Sequence, residues 1–285
     1  ADVMISSVSV MSGPNDQISL EMWIGDSQMS KVKVLVVFGT RPEAIKMCPL
    51  VKEIESRPDE FEMVVCVTGQ HREMLEQVLA AFGVQPDYDL AIMKDGQTLG
   101  DVTADVLTKL PPILEAEKPD YVLVHGDTTT AFAAGLSAFY NQIPVGHVEA
   151  GLRTWDMTSP FPEELNRQAI DLVSDIYFAP TETSKQHLVD EGKPADRIFV
   201  TGNTGIDALR TTVSDDYTNE WVEWAADSRL VLVTAHRREN LGEPMENIFR
   251  ALRRVVEENP DVKALYPIHM NPKVRERRRP LPHRK

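Results

Sequence analysis

"VKVLVVFGTRPEAIKMCPLVKEIES", residues 32 to 56, sets the fold class. Its first seven residues are apolar except Lys33, a run of strand length that ends at Gly39. Arg41-Pro42 follows, and proline suits the first position of a helix, where its missing N–H costs nothing. Ile45, Pro49, Leu50 and Ile54 then recur near helical spacing. An apolar strand feeding an amphipathic helix is the repeating unit of a parallel sheet covered on both faces.

The unit recurs along the chain. "EMVVCV" reads as a strand and "REMLEQVLAAFG" as a helix stopped by Gly83. Residues 98–117 are helical in pattern, and Pro111-Pro112 must kink that helix or start a second one. "DYVLVH", "IPVGHVE" and "DIYFAP" are further strands, with helices around 129–140 and 163–174 between them. In the second of these helices, Leu165, Ala169, Leu172 and Val173 mark the buried side. "RIFVTGN" closes this half near residue 203. A second series begins with "RLVLVTA", continues through a helix over 245–258 and reaches "KALYPI". The expected organisation is a first domain over 31–203 and a second over 204–285. Residues 1–30 are weak in pattern and are expected to be a disordered extension. They lack the basic start and unbroken apolar segment of a signal peptide.

Composition narrows the function. The chain has 285 residues, 42% of them hydrophobic, enough for about two domains. A formal net charge of -14 argues against nucleic acid as a partner. Residues 275–285 depart from this, with six cations and one anion. The acidic balance fits a high-salt cytoplasm or an ordinary acidic bacterial enzyme, and both readings stay open. No apolar run approaches the ~20 residues of a membrane helix. Cys48 and Cys66 are too few for a metal or redox motif and read as core residues in a reducing compartment, so a cytoplasmic location is expected.

Parallel sheets bind ligands at the carboxyl ends of their strands, and that rule selects residues. After the first strand, Arg41 and Lys46 flank a helix start whose amides attract anions, which favours a phosphate-bearing ligand; a tight turn with solvated cations is the alternative. After "DYVLVH" comes Asp127, a helix cap or a functional carboxylate. Glu149 ends the next strand, so both acids can face one rim. Arg153 follows four residues on and reads as holding that loop or its carboxylates, with a structural ion pair as the alternative. Glu163 and Glu164 open a helix, where acids are also electrostatically ordinary. His236, Arg237 and Arg238 end the first strand of the second series and read as an anion site. No dinucleotide glycine fingerprint follows the first strand, which speaks against a nicotinamide cofactor.

Nine stretches, in order, together carry a resemblance. They are "FGTRPEAIKMCPLV", "TGQHREMLEQVLAAF", "DYVLVHGDTTTAFA", "IPVGHVEAGLRT", "SPFPEELNRQ", "FAPTETSKQHL", "FVTGNTGIDAL", "VTAHRRENLGEPMENI" and "YPIHMNP". The chain resembles the non-hydrolysing UDP-N-acetylglucosamine 2-epimerases. The resemblance implies two Rossmann-like domains of the GT-B type with the active site in a cleft between them. It implies interconversion of UDP-N-acetylglucosamine and UDP-N-acetylmannosamine for polysaccharide building, through elimination of UDP to a 2-acetamidoglucal and re-addition. It implies no metal or other cofactor, and a homodimer. By motif, Asp127, Glu149, Glu163 and His236 match the catalytic set. Arg41, Lys46, Arg153 and Arg237 match substrate contacts, and Gln70 and His71 match an allosteric segment.

The resemblance stops soon after Asn271-Pro272, where family members continue for roughly another hundred residues. The second domain is therefore expected to be incomplete and the activity of this polypeptide impaired. An inactive remnant that binds a sugar nucleotide weakly, or a hydrolysing relative that releases free N-acetylmannosamine, are the competing readings.

Overall fold

Strand β1 (Val32–Phe38) is followed by helix α1 (Arg41–Glu55), as the opening stretch dictates. Thr40 caps the helix and its side chain accepts from the Glu43 amide, while the Glu43 carboxylate returns to the Thr40 amide at 2.7 Å. The buried stripe of α1 runs through Ala44, Met47, Cys48, Val51 and Ile54, whereas Ile45 is exposed. The structure is a computed structural model and describes residues 31–69, 72–94, 96–214, 216–235 and 242–267. The expected extension over 1–30 and the basic end of the chain lie outside the described residues.

The first unit continues through β2 (Phe61–Val67), α2 (Arg72–Phe82), β3 (Tyr88–Asp89), α3 (Leu99–Lys109) and α4 (Pro111–Glu117). Helices α3 and α4 meet at Leu110, so the proline pair starts a second helix. Next come β4 (Tyr121–His125), α5 (Thr129–Tyr140), β5 (Val145–Val148), α6 (Glu163–Val173), β6 (Ile176–Ala179), α7 (Glu182–Asp190), β7 (Ile198–Val200) and α8 (Thr204–Thr212). The seven strands form one sheet in the order β3-β2-β1-β4-β5-β6-β7, and every pairing is parallel. Successive β1 side chains serve opposite faces. Leu35 and Val37 join the core with Ala131, Ala134 and Ile170, and Val36 and Phe38 join the core with Met47, Val51 and Leu79. Cys48 and Cys66 are free and buried, and burial pushes both thiols up to about 12, so neither is a reactive group at neutral pH.

The chain divides into two units after Val213 rather than after residue 203, because α8 packs against α1 and so belongs to the first. The described part of the second unit comprises α9 (Glu220–Ala225), β8 (Arg229–Leu232), α10 (Glu243–Glu258) and β9 (Val262–Leu265). β8 and β9 pair in parallel, and all four residues of β8 are exposed. No helix among the described residues is long and apolar enough to cross a membrane.

One expectation about packing fails. Leu165 and Leu172 of α6 are 49% and 76% exposed, and the side turned inward carries Glu164, Asn166, Ile170 and Asp171. The polar residues win the interior because each finds partners there. Glu164 accepts from the amides of Thr154 and Trp155 at 3.0 Å, Asn166 donates to the Asp127 carbonyl at 2.9 Å, and Asp171 binds His147 and Arg153. A buried polar group that is fully paired escapes most of its desolvation penalty.

Candidate active site

The strand order reverses between β1 and β4, which makes that pair the switch point where such sheets leave a crevice. The turn after β4 holds Asp127, and the residue after β5 is Glu149. The register aligns His125 with Val148, so the two acids leave adjacent strands at the same rim. They lie close enough that the Glu149 and Glu163 charges both act on Asp127.

Their surroundings differ. Asp127 Oδ2 accepts from Arg167 Nη2 at 2.6 Å. Burial raises the Asp127 carboxyl above its ordinary range; Arg167 opposes this, and Glu163 and Glu149 add to it. Glu149 sits at a φ of 68°, a left-handed conformation costly for a residue with a Cβ, and its amide is anchored to the Phe178 carbonyl at 3.0 Å. Lys46 Nζ donates to Glu149 Oε2, and Asn203 Nδ2 lies 3.5 Å from Oε1. His125 Nε2 also approaches Oε2 to 2.8 Å, but without the alignment of a hydrogen bond; neither nitrogen of this buried ring has a hydrogen-bond partner among the described residues. Burial alone would raise the Glu149 carboxyl, yet His125 and Lys46 outweigh it and bring it down to about 2.

The start of α1 is less available to an anion than its sequence implies. Glu43 places its carboxylate on the Gly39 and Thr40 amides, at 3.0 and 2.7 Å, and accepts from Thr128 Oγ1 at 2.7 Å. An internal carboxylate thus occupies part of the helix start and ties it to the turn after β4. Arg41 is exposed, and Lys46 is engaged by Glu149.

Arg153 does not fit the substrate contact expected of it. Its side chain is wholly buried, donating to Asp171 and Glu191 at 2.6 Å and to the Leu152 carbonyl at 2.8 Å. It braces the loop after Glu149, since every face of the guanidinium is taken by protein. The paired acids of α6 also separate. Glu164 is absorbed by backbone amides, while Glu163 is half-buried on the Asp127 side. Gln70, His71, His236 and Arg237 lie outside the described residues.

Four residues at this rim are not singled out by the sequence reading: His125, Arg167, Asn166 and Asn203. A signal existed for two of them. His125 is the last residue of an apolar strand at its carboxyl end, and Arg167 follows Glu163 by one helical turn.

A family model for UDP-N-acetylglucosamine 2-epimerase matches residues 52–283. The UDP-N-acetylglucosamine 2-epimerase of Bacillus subtilis (strain 168) is 58% identical over 248 residues, 87% of this chain and 65% of that protein. A crystal structure of a putative UDP-N-acetylglucosamine 2-epimerase from Listeria monocytogenes matches with a TM-score of 0.82 and 57% identity, over 87% of this chain and 65% of that one. The UDP-GlcNAc 2-epimerase of Neisseria meningitidis, solved bound to UDP-GlcNAc, matches with a TM-score of 0.76 and 47% identity, over 86% and 68%. The chain spans about 65% of the length of the first curated relatives it matches. The α/β class with two Rossmann-like domains of the GT-B type, the second incomplete, agrees with these likenesses.

Proposed function

This chain belongs to the UDP-N-acetylglucosamine 2-epimerase family, and from that premise we propose that it serves the reversible C2 epimerisation of UDP-N-acetylglucosamine to UDP-N-acetylmannosamine. The observation that carries the reading is the convergence of Asp127, Glu149 and Glu163 on the rim at the switch point. A C2 hydrogen is weakly acidic, so the reaction needs a base held against it and an acid to return a proton. Loss of the C2 proton and of UDP from C1 leaves a 2-acetamidoglucal; UDP then re-adds at C1 while a proton is delivered to the opposite face of C2, and this inverts C2. Asp127 suits proton exchange because burial favours its neutral form and a single guanidinium opposes this. Glu149 is kept as a carboxylate by Lys46 and His125, and Lys46 can turn to a diphosphate only by leaving it. The Neisseria relative with UDP-GlcNAc bound supports this choice of substrate.

The test is NMR of UDP-N-acetylglucosamine in heavy water with two polypeptides: these 285 residues, and a version extended to the relatives' full length. The extended version forms UDP-N-acetylmannosamine with deuterium at C2, and the 285-residue polypeptide turns over far less. Free N-acetylmannosamine as first product, or no reaction in the extended version, would overturn the reading. The reading includes a homodimer. Phe139, Tyr140, Leu165 and Leu172, on the packed helices α5 and α6, are all about half exposed or more, and a second copy of the chain would cover such apolar surface.

A further inference from the structure

The buried polar groups that the proposed chemistry leaves unused form one connected set around His147. This residue lies within β5 and its ring is wholly buried. Its Nε2 is 2.7 Å from the Gly126 carbonyl oxygen, and its Nδ1 is 2.6 Å from Asp171 Oδ1. A carbonyl oxygen only accepts, so Nε2 carries a hydrogen and donates it. The other oxygen of Asp171 accepts from Arg153 Nη2 at 2.6 Å and from the Gly151 amide at 3.3 Å. Burial would raise the Asp171 carboxyl, and the His147 ring and Arg153 reverse this and hold it below the usual carboxylate range.

One imidazole and the carboxylate it binds therefore join three backbone segments. They are the turn that presents Asp127, the loop that follows Glu149, and the helix that begins at Glu163. The segments need holding. Gly126 and Glu149 both have φ of 68°, and Gly151 has φ of 81° with Ser184 O only 2.2 Å from where a Cβ would stand. The Gly126 carbonyl belongs to the peptide that leads into Asp127. That peptide is planar, so fixing its oxygen fixes the amide and Cα of Asp127 as well. A histidine that merely filled the core would not need an acceptor on each nitrogen from two separate elements.

We propose that His147, held by Asp171, is a positioning residue: it sets the peptide plane of Gly126 and Asp127 and so aims the Asp127 carboxylate at the rim shared with Glu149. Its effect on turnover rests on the proposed epimerisation; the placement itself does not.

The experiment has one measurement on the unaltered protein and two on variants. In uniformly 15N- and 13C-labelled protein, the His147 Nε2 resonance is that of a protonated nitrogen and shows coupling through the hydrogen bond to the Gly126 carbonyl carbon. An unprotonated Nε2 overturns the proposal, whether or not any variant folds. In His147→Gln and His147→Phe, checked for folding by circular dichroism, the Asp127 carboxyl carbon, assigned through Asp127→Asn, titrates at lower pH than in the parent, as the turn loosens into solvent. An unchanged titration in a folded variant overturns the proposal.

In the extended polypeptide, His147→Gln lowers kcat by ~10²-fold with KM little changed, the loss expected of a displacement of about 1 Å. Combined with Asp127→Asn it adds no further loss. A full additional loss means that His147 does not act through Asp127. If Asp127→Asn retains turnover while His147→Gln still moves the Asp127 titration, the placement stands and the proton-transfer reading falls.

Discussion

The turn after β4 and the loop after β5 bring the same chemical group to one rim and treat it in opposite ways. Asp127 has one guanidinium against it and is pushed towards its neutral form, chiefly by burial. Glu149 is as enclosed, but Lys46 and His125 reverse the effect of burial and hold it ionised, down to about 2. The difference teaches that strand order delivers the groups and the neighbouring helices set their protonation. Lys46 comes from α1 and Arg167 from α6, elements on either side of the two strands in the chain.

The largest effect that sharpens this contrast is on turnover. In the extended polypeptide, Asp127→Asn and Glu149→Gln each lower kcat by ~10²- to 10⁴-fold, the range of a lost proton-transfer group. Deuterium exchange at C2 separates them, because only the variant lacking the proton-transfer group loses exchange along with epimerisation. If both exchange at the parental rate, neither acid moves the C2 proton.

Acid stability comes next. Glu149 has a folded-state value of about 2 against an ordinary 4.5, so its contribution is present above pH 4.5 and disappears as pH falls towards 2. The full contribution is on the order of 3 kcal/mol. Urea unfolding of the parent between pH 6 and pH 3 therefore shows a decline that Glu149→Gln largely removes. An equally steep decline in the variant would assign the acid sensitivity to other groups.

A smaller effect follows from Lys46→Met, which leaves Glu149 with the His125 ring as its neighbour at 2.8 Å. The acid limb of the stability curve then moves to higher pH, and the Glu149 carboxyl carbon titrates at higher pH by NMR. No movement would mean that His125 alone keeps the carboxylate ionised. The smallest effect is that of Asp127→Asn on stability. Its folded-state carboxyl is raised, so ionisation at pH 7 opposes folding, and the amide is neutral to slightly stabilising there. A clear loss of melting temperature would show that the Arg167 ion pair outweighs the burial of Asp127.

Much of the site is legible in the sequence for a simple reason. Apolar runs locate the strands, and the residues just beyond them must lie on the ligand-binding rim of a parallel sheet. Asp127 and Glu149 follow from that argument alone. The partners of Arg153 do not, because Asp171 and Glu191 lie 18 and 38 residues away. Lys46 looks like a free phosphate contact until Glu149, 103 residues on, is placed beside it. The face of α6 is misread for a related reason. Periodicity weighs Leu165 and Leu172 by their hydrophobicity, but it cannot count the amides and cations that make Glu164 and Asp171 better occupants of the interior.

By itself the sequence determined the alternation of strand and helix, the parallel sheet and the rim positions of two carboxylates, since these depend on local periodicity and on which residues follow each strand. The tertiary structure decided which carboxylate is pushed towards its neutral form and which kept charged, which arginine is a brace, and how His147 and Asp171 together join three segments. Those outcomes depend on charges and hydrogen-bond partners brought together from distant parts of the chain, and their strength depends on burial, which only the assembled sheet and helices provide.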